Sequence, residues 1–444
     1  MKNGKLISTH YAGSRQETSE TVLCFTENTE QENELFLLFP EYRGQTFEGF
    51  GAAATDSAGY IYSMMTAERK KEFIEKYFGR EGFHYRYLRM PIDSCDFSLA
   101  CYEAMGDPAD REMKSFSLDR QGRYIFPLVR DIEDFCGQQI PILVTPWSPP
   151  AFMKTNGRRE GGKLKPEYAD FWADYLCRYI IRLREARFPV RSMSIQNEPK
   201  AAQIWDSCVF TAAEEKEFLE NHLYPALCKN GLDKDMELYV WDHNKERLLE
   251  RACKLMDAGT EGKITGFAFH WYSGDHFEQL QMVHEKYPDK KLILSEACIE
   301  FLKYDAADLR NAEKYAHDII GNLNHGMQRF YDWNLLLNQQ GGPNHVGNFC
   351  DAPLKYNASS DVLEEDAAGV YLEHFAGYIM PGAVRIGHSR YTDSIEMTAF
   401  RNPDGTLAAV FLNKGNVPVK GFLKLGDYCA EVVFPARSIA TAVL

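Results

Sequence analysis

Residues 140–147, IPILVTPW, then PEYADFWADYLCRYIIRLREA at 166–186 and VRSMSIQNE at 190–198, read as strand, helix, strand. The outer runs are short and apolar. The middle one repeats its apolar residues at three- and four-residue spacing, as an amphipathic helix does. Two strands joined through a helix pair in parallel. Six further β-rich runs share this rhythm: FEGFGAA (47–53), YRYLRMPI (85–92), MELYVWD (236–242), ITGFAFHW (264–271), KLILSEA (291–297) and MQRFYDWN (327–334). Eight strand-helix units imply an α/β chain closed into a (β/α)8 TIM barrel, with its chemistry at the C-terminal ends of the strands, where the βα loops gather.

Both ends of the chain read differently. After residue 380 helical periodicity gives way to short alternating runs, and NPDG at 402–405 marks a hairpin turn between two of them. Residues 1–40 carry similar runs, TVLCFT and ELFLLF. The expectation is a side-attached antiparallel β-sandwich built from both ends, 1–40 and 380–444, beside a catalytic barrel of 41–379.

Composition limits the partners. Among 444 residues, 50 Lys and Arg stand against 64 Asp and Glu, a net charge of −14. Such a chain has no general affinity for nucleic acid or anionic membrane. No run approaches the ~20 apolar residues of a membrane span. The N-terminus MKNGKLISTHYAGSRQ has no apolar signal core, so the expected location is cytoplasmic. Eleven cysteines without CxxC pairs read as reduced structural thiols, and Cys298 is given no role. No GxGxxG opens a helix, and neither a P-loop nor a GxSxG elbow is present. The expected cofactor is none, and oligomeric state is left open.

Several strands end in polar or aromatic residues that a purely structural barrel has no need of. The strongest pair is Glu198 in SIQNEP and Glu296 in LILSEA, closing the fourth and seventh strands. In a closed barrel these ends face one pocket, and two facing carboxyls can serve as acid/base and nucleophile in glycosidic cleavage. Asn197 adds an amide for a sugar hydroxyl. Trp147, Trp271, Tyr272 and Trp333 offer faces on which sugar C–H groups stack. Asp93 and Asp96 suit hydroxyls, and Arg89 suits holding a carboxylate ionised. A lone strand-end glutamate or aromatic is as readily explained by an ion pair or by core packing. His270 has no second histidine at helical metal-site spacing, so it reads as a hydrogen-bonding group and no metal is expected.

Taken in order, FEGFGAAATDSAG, YLRMPIDSCDFS, TPWSPPAFMKTNG, SIQNEP, FHWYSG, LILSEAC, DWNLLLNQQGGPNHVGNF and HFAGYIMPGAVRIG resemble glycoside hydrolase family 30, in its glucosylceramidase-like (acid β-glucosidase) branch, over residues 45 to 390. The resemblance implies a barrel with a β-sandwich and retaining hydrolysis of β-linked sugars without a cofactor. It also implies that Glu198 is the acid/base and Glu296 the nucleophile. Asp96, Trp147, Asn197, Trp333 and Asn348 would surround the sugar, with Arg89, His270 and Tyr272 on matching pocket motifs. Thr145 stands where serine is usual and Ala53 where glycine is common. The expected substrate is a β-glucoside cleaved from its end. A β-xyloside, β-fucoside or β-1,6-glucan is the alternative, as is a catalytically silent carbohydrate-binding protein. A metal-dependent lyase or a Schiff-base aldolase on the same fold is a third class. The acid/base role calls for a raised pKa at Glu198, supplied by the charge of Glu296.

Overall fold

The computed structural model describes residues 3–12, 15–303 and 309–444. All eight expected runs are strands of one parallel barrel: Gly49–Ala53, Tyr87–Ile92, Ile142–Pro146, Val190–Ser194, Glu237–Asn244, Gly266–His270, Lys291–Glu296 and Met327–Asp332. Each pairs with the next, and the last returns to the first with Arg329 opposite Gly49 and Asp332 opposite Ala52. Leu143, Tyr239, Ala268, Ile293 and Tyr331 point inward and fill the bore, so the barrel is packed and not a pore. The first strand runs so close to the second that a Cβ on Gly51 would lie 2.3 Å from the Tyr87 carbonyl oxygen. Only glycine fits there.

The helix expected at 166–186 is Ala169–Glu185, opened by a single 3-10 turn at Pro166–Tyr168. Its buried stripe of Trp172, Ala173, Leu176, Ile180 and Leu183 lies on the barrel wall. Among the described residues no helix is long and apolar enough to cross a membrane.

The chain ends form one ten-stranded sheet. The first strand, Asn3–Ala12, pairs with the last, Ser438–Val443, so the two termini are stitched together. Leu35–Phe47 is gripped between Ala383–Arg390 and Val419–Leu425. This strand runs past residue 40, so sandwich structure reaches Phe47 where a boundary at 40/41 was expected. The reason is physical: the strand has a partner along its whole length, and the sequence around residue 40 carries no sign of that partner. Residues 1–2 and 13–14 of the expected sandwich segment lie outside the described residues. The sheet folds over on itself around Phe36, Phe411 and Phe434, with Phe411 and Phe434 stacked at 4.6 Å between centroids. NPDG makes the expected turn, Asn402 donating its N–H to the Thr406 carbonyl at 2.8 Å with Gly405 at φ 88°.

Barrel and sandwich are locked by a buried polar contact. His374, on the helix Ala367–Ala376, meets Thr9 Oγ1 at 2.9 Å and Thr441 Oγ1 at 3.0 Å, one from each terminal strand. A small third sheet, Leu337–Asn338, Leu354–Asn357 and Val362–Glu365, follows the eighth barrel strand and was not legible in the sequence. It frames the loop that carries Asn348.

Candidate active site

At the mouth of the barrel, four strands deliver charged side chains to one point. Arg89, wholly buried on the second strand, donates from one guanidinium nitrogen to Glu296 Oε2 at 2.6 Å. From the other it donates to Asn197 Oδ1 at 2.9 Å and Asp242 Oδ2 at 3.1 Å. The second oxygen of Glu296 accepts from the Tyr272 hydroxyl at 2.9 Å. Glu296 thus receives two donors, one of them a full cation.

Glu198 does not sit on a strand. The fourth strand ends at Ser194, and Glu198 lies four residues beyond it at φ 45°, its N–H donating to the Asp242 carbonyl at 2.9 Å. Trp241 and Asp242, at φ 76° and 46°, share this left-handed backbone, which costs ~1–3 kcal/mol per residue and is kept where the surroundings enforce it. The twist turns Glu198 toward His270, whose Nδ1 lies 3.3 Å from Glu198 Oε1 and 4.0 Å from Glu296 Oε1. Gln203 reaches the other oxygen of Glu198 at 3.5 Å.

His270 joins the two carboxyls. Its Nε2 faces Asp242 Oδ1 at 3.0 Å, and Asp242 is also held by the hydroxyls of Ser194, at 2.5 Å, and Ser295. Burial opposes a charge on His270, but Glu296, Asp242 and Glu198 together outweigh it and lift its pKa to about 9. Burial likewise pushes Glu198 up, yet the hydrogen bond and charge of His270, helped by His243 and Gln203, leave it below the ordinary carboxyl range. The raised value expected for Glu198 is therefore corrected in the free site. The proton of this pair rests on the imidazole, because Asp242 stabilises it there.

Asp96 is 5% exposed; one oxygen accepts from Asn348 Nδ2 at 2.9 Å and the other, also buried, has no hydrogen-bond partner. Burial and the charges of Glu296 and Glu198 raise its pKa to about 8. At neutral pH it is a carboxylic acid with one free oxygen. Trp147 and Trp333 stack at 5.2 Å with a 19° tilt, and the Arg89 guanidinium carbon is 4.8 and 5.6 Å from their ring centres. Both are almost fully buried, at 2% and 1%, and clamp the arginine by cation–π contact.

Two expectations fail at this mouth. Trp271 is wholly buried, its Nε1 donating to the Cys298 carbonyl at 2.9 Å and its ring against Tyr315, so it belongs to the barrel wall. Asp93 is turned away into a buried cluster, accepting from the Ala104 N–H at 2.8 Å and the Tyr175 hydroxyl at 2.7 Å. Three residues were missed. Asp242 organises the whole cluster, His243 Nδ1 lies 3.6 Å from Glu198, and Gln203 reaches it from the loop beyond. The signal for Asp242 and His243 was the polar ending of VWDHN after an apolar run. Glu198, His243 and His270 each present one ligand atom within 4.8 Å of the others.

The chain has counterparts among known proteins. The Glycosyl hydrolase family 30 TIM-barrel domain matches residues 47–379, and the family's beta sandwich domain matches 382–442. The lysosomal acid glucosylceramidase of Mus musculus is 30% identical over 430 residues, covering 92% of this chain and 82% of that protein. An endo-1,6-beta-D-glucanase of Aspergillus fumigatus is 27% identical, covering 90% and 85%. The crystal structure of SrfJ from Salmonella typhimurium superposes with a TM-score of 0.96 at 36% identity, covering 100% of this chain and 99% of that one. With both domains matched in order around one carboxyl-rich barrel mouth, the chain belongs to glycosyl hydrolase family 30 and is a glycoside hydrolase.

Proposed function

We propose that this protein is a retaining, exo-acting β-glucosidase in which Glu296 is the nucleophile and Glu198 the acid/base. The observation that carries the reading is the asymmetry of the two carboxyls. Glu296 accepts from the Arg89 guanidinium and the Tyr272 hydroxyl, whereas Glu198 faces a proton-bearing imidazole. That both reach one ring nitrogen supports the close carboxyl pair of double displacement, ~5–5.5 Å, over the ~6.5–9.5 Å of inversion.

Glu296 attacks the anomeric carbon while Glu198, having taken the proton from His270 Nδ1, delivers it to the leaving oxygen. Asp242 steadies His270 as that proton moves. Formation of the glycosyl ester removes the charge of Glu296, a main support of the imidazolium. Water then attacks the ester with Glu198 as base, and the sugar leaves with retained configuration. Asp96 and Asn348 are placed to bind a hydroxyl, and Asp96 donates from its protonated form. The names of the mouse relative and of the fungal glucanase support a glucose-configured substrate, β-linked either to an aglycone or within a β-1,6-glucan.

The test is product analysis on p-nitrophenyl β-glucoside, β-xyloside and β-fucoside and on β-1,6-glucan. The expected result is the highest kcat/KM on the glucoside and release of glucose from chain ends. Internal cleavage of the glucan with little aryl glucosidase activity would replace exo by endo action. External azide should rescue Glu198→Ala and yield a β-glycosyl azide; an α-glycosyl azide from that variant would exchange the two roles.

A further inference from the structure

We propose that Glu198, His243 and His270 form a site for a borderline transition-metal cation, with Zn2+ as the probe, whose occupancy shuts off the acid/base group. The proposal rests on the reading of Glu198 as acid/base for its effect on activity. It does not rest on that reading for the binding itself.

The donor set is two imidazole nitrogens and a carboxylate oxygen, one atom from each residue within 4.8 Å. This is the ligand chemistry of Zn2+, Cu2+ and Ni2+. With metal–ligand bonds of ~2.0–2.2 Å, neighbouring ligands of a tetrahedral ion stand ~3.4 Å apart. Glu198 Oε1 lies 3.3 Å from His270 Nδ1 and 3.6 Å from His243 Nδ1, so two of the three edges already have that length.

Three independent features point to a ligand. His243 Nδ1 is buried and makes no hydrogen bond, an unmet polar atom aimed at the carboxylate. His270 is backed on its far nitrogen by Asp242 at 3.0 Å, the outer-shell carboxylate that commonly orients metal-binding histidines. Among the described residues Arg89 is the sole guanidinium paired with Glu296 and Asp242, and Glu198 adds a third carboxylate nearby. A divalent cation would take the place of the proton on His270 Nδ1, which is released to solvent, and its two charges would offset the excess of carboxylates. The Glu198 and His243 side chains are 12% and 14% exposed, which leaves an entry path and a fourth position for water. The second histidine comes from a neighbouring strand, so helical spacing in the sequence did not reveal it.

The experiment uses the full chain stripped with a chelator and titrated with Zn2+ or Co2+ in a non-coordinating buffer. The expected result is one ion per chain by calorimetry, the visible d–d spectrum of four-coordinate Co2+, and inhibition of aryl β-glucoside hydrolysis that excess substrate and EDTA both relieve. His243→Ala should raise the half-inhibiting Zn2+ concentration at least tenfold and abolish the Co2+ spectrum, and His243→Asn should do the same if the alanine variant melts early. Inhibition of unchanged potency in a folded His243 variant would overturn the proposal. So would a thiolate charge-transfer band, which would place the ion on the exposed Cys24, Cys101, Cys228 or Cys253. If no glycoside is turned over but the His243-dependent spectrum appears, the enzymatic reading fails and the metal site stands.

Discussion

Two arginine–carboxylate clusters at opposite ends of the barrel differ in how their charges balance. At the floor, Arg329 donates to Glu48 at 2.9 Å and Glu237 at 3.0 Å, and Lys291 reaches the same two carboxylates. Two cations meet two anions, and the Tyr87 ring lies 4.2 Å from the guanidinium carbon. At the mouth, Arg89 is the permanent cation facing Glu296 and Asp242, with His270 beside both and Glu198 close by. The floor cluster is satisfied and has nothing left to exchange. The mouth is short of positive charge, so His270 holds a proton, Asp96 keeps its own, and a proton can move where substrate binds. The same residue types serve cohesion at one end and chemistry at the other, and the sign of the imbalance separates them.

Neutralising one anion at each end puts the contrast to its hardest test. Glu296→Gln should cut kcat by more than ~10⁴-fold with the fold intact, since it removes the attacking atom. Glu237→Gln should leave kcat within about twofold and lower stability by about 1–3 kcal/mol, because it leaves the buried Arg329 and the partly exposed Lys291 under-paired. The readouts are kcat on the aryl glucoside and a melting curve for each variant. Were Glu237→Gln to lose activity without losing stability, the division of labour would collapse.

Glu198→Gln should cost ~10²–10⁴-fold on substrates with poor leaving groups and far less on activated aryl glucosides, which need little protonation. Equal losses on both would show that Glu198 is not the acid. Asp96→Ala comes next, with kcat/KM lowered roughly 10²-fold from a lost hydrogen bond of about 2–3 kcal/mol and little change in Tm.

The smallest effect sharpens the contrast through pH. Asp96, raised to about 8 in the fold from 3.8, contributes stability that is full below its unfolded value and lost as pH rises through about 8. His270, raised to about 9 from 6.5, adds a loss in the same direction. Glu237 is pushed up by burial but held lower overall by Arg329 and Lys291, so its contribution is present above its unfolded value and fades as pH falls. Activity should therefore decline between about pH 8 and 9, and the Asp96→Asn variant should lose part of that alkaline limb. The acid side of the stability curve should respond to Glu237→Gln instead. An alkaline limb of activity unchanged by the Asp96 substitution would move its origin elsewhere in the mouth.

Much of this molecule was legible in the chain. Eight apolar runs separated by helical periodicity gave the barrel and its strand order, since both periods arise from local backbone geometry. NPDG gave its hairpin because turn residues act over four positions. Arg89, Asn197, Glu198, His270, Tyr272, Glu296 and Asp96 with Asn348 come together at the mouth, on the strand ends and the loops that follow them. Trp271 was misread because alternation along a strand does not say which of two adjacent aromatics faces the pocket once the strand ends.

What the sequence by itself determined is therefore the order of elements and the identity of the groups at one rim. The tertiary structure alone decided which of those groups touch. Asp242 and His243 reach Glu198 and His270 because the fourth, fifth and sixth strands lie side by side and the backbone at Glu198, Trp241 and Asp242 is held left-handed. Whether Asp96 keeps its proton depended in turn on how many cations converge on it. Asp96 and Glu296 share one mouth, yet only Glu296 is given an arginine. Periodicity is a property of neighbours along the chain, and charge balance is a property of neighbours in space.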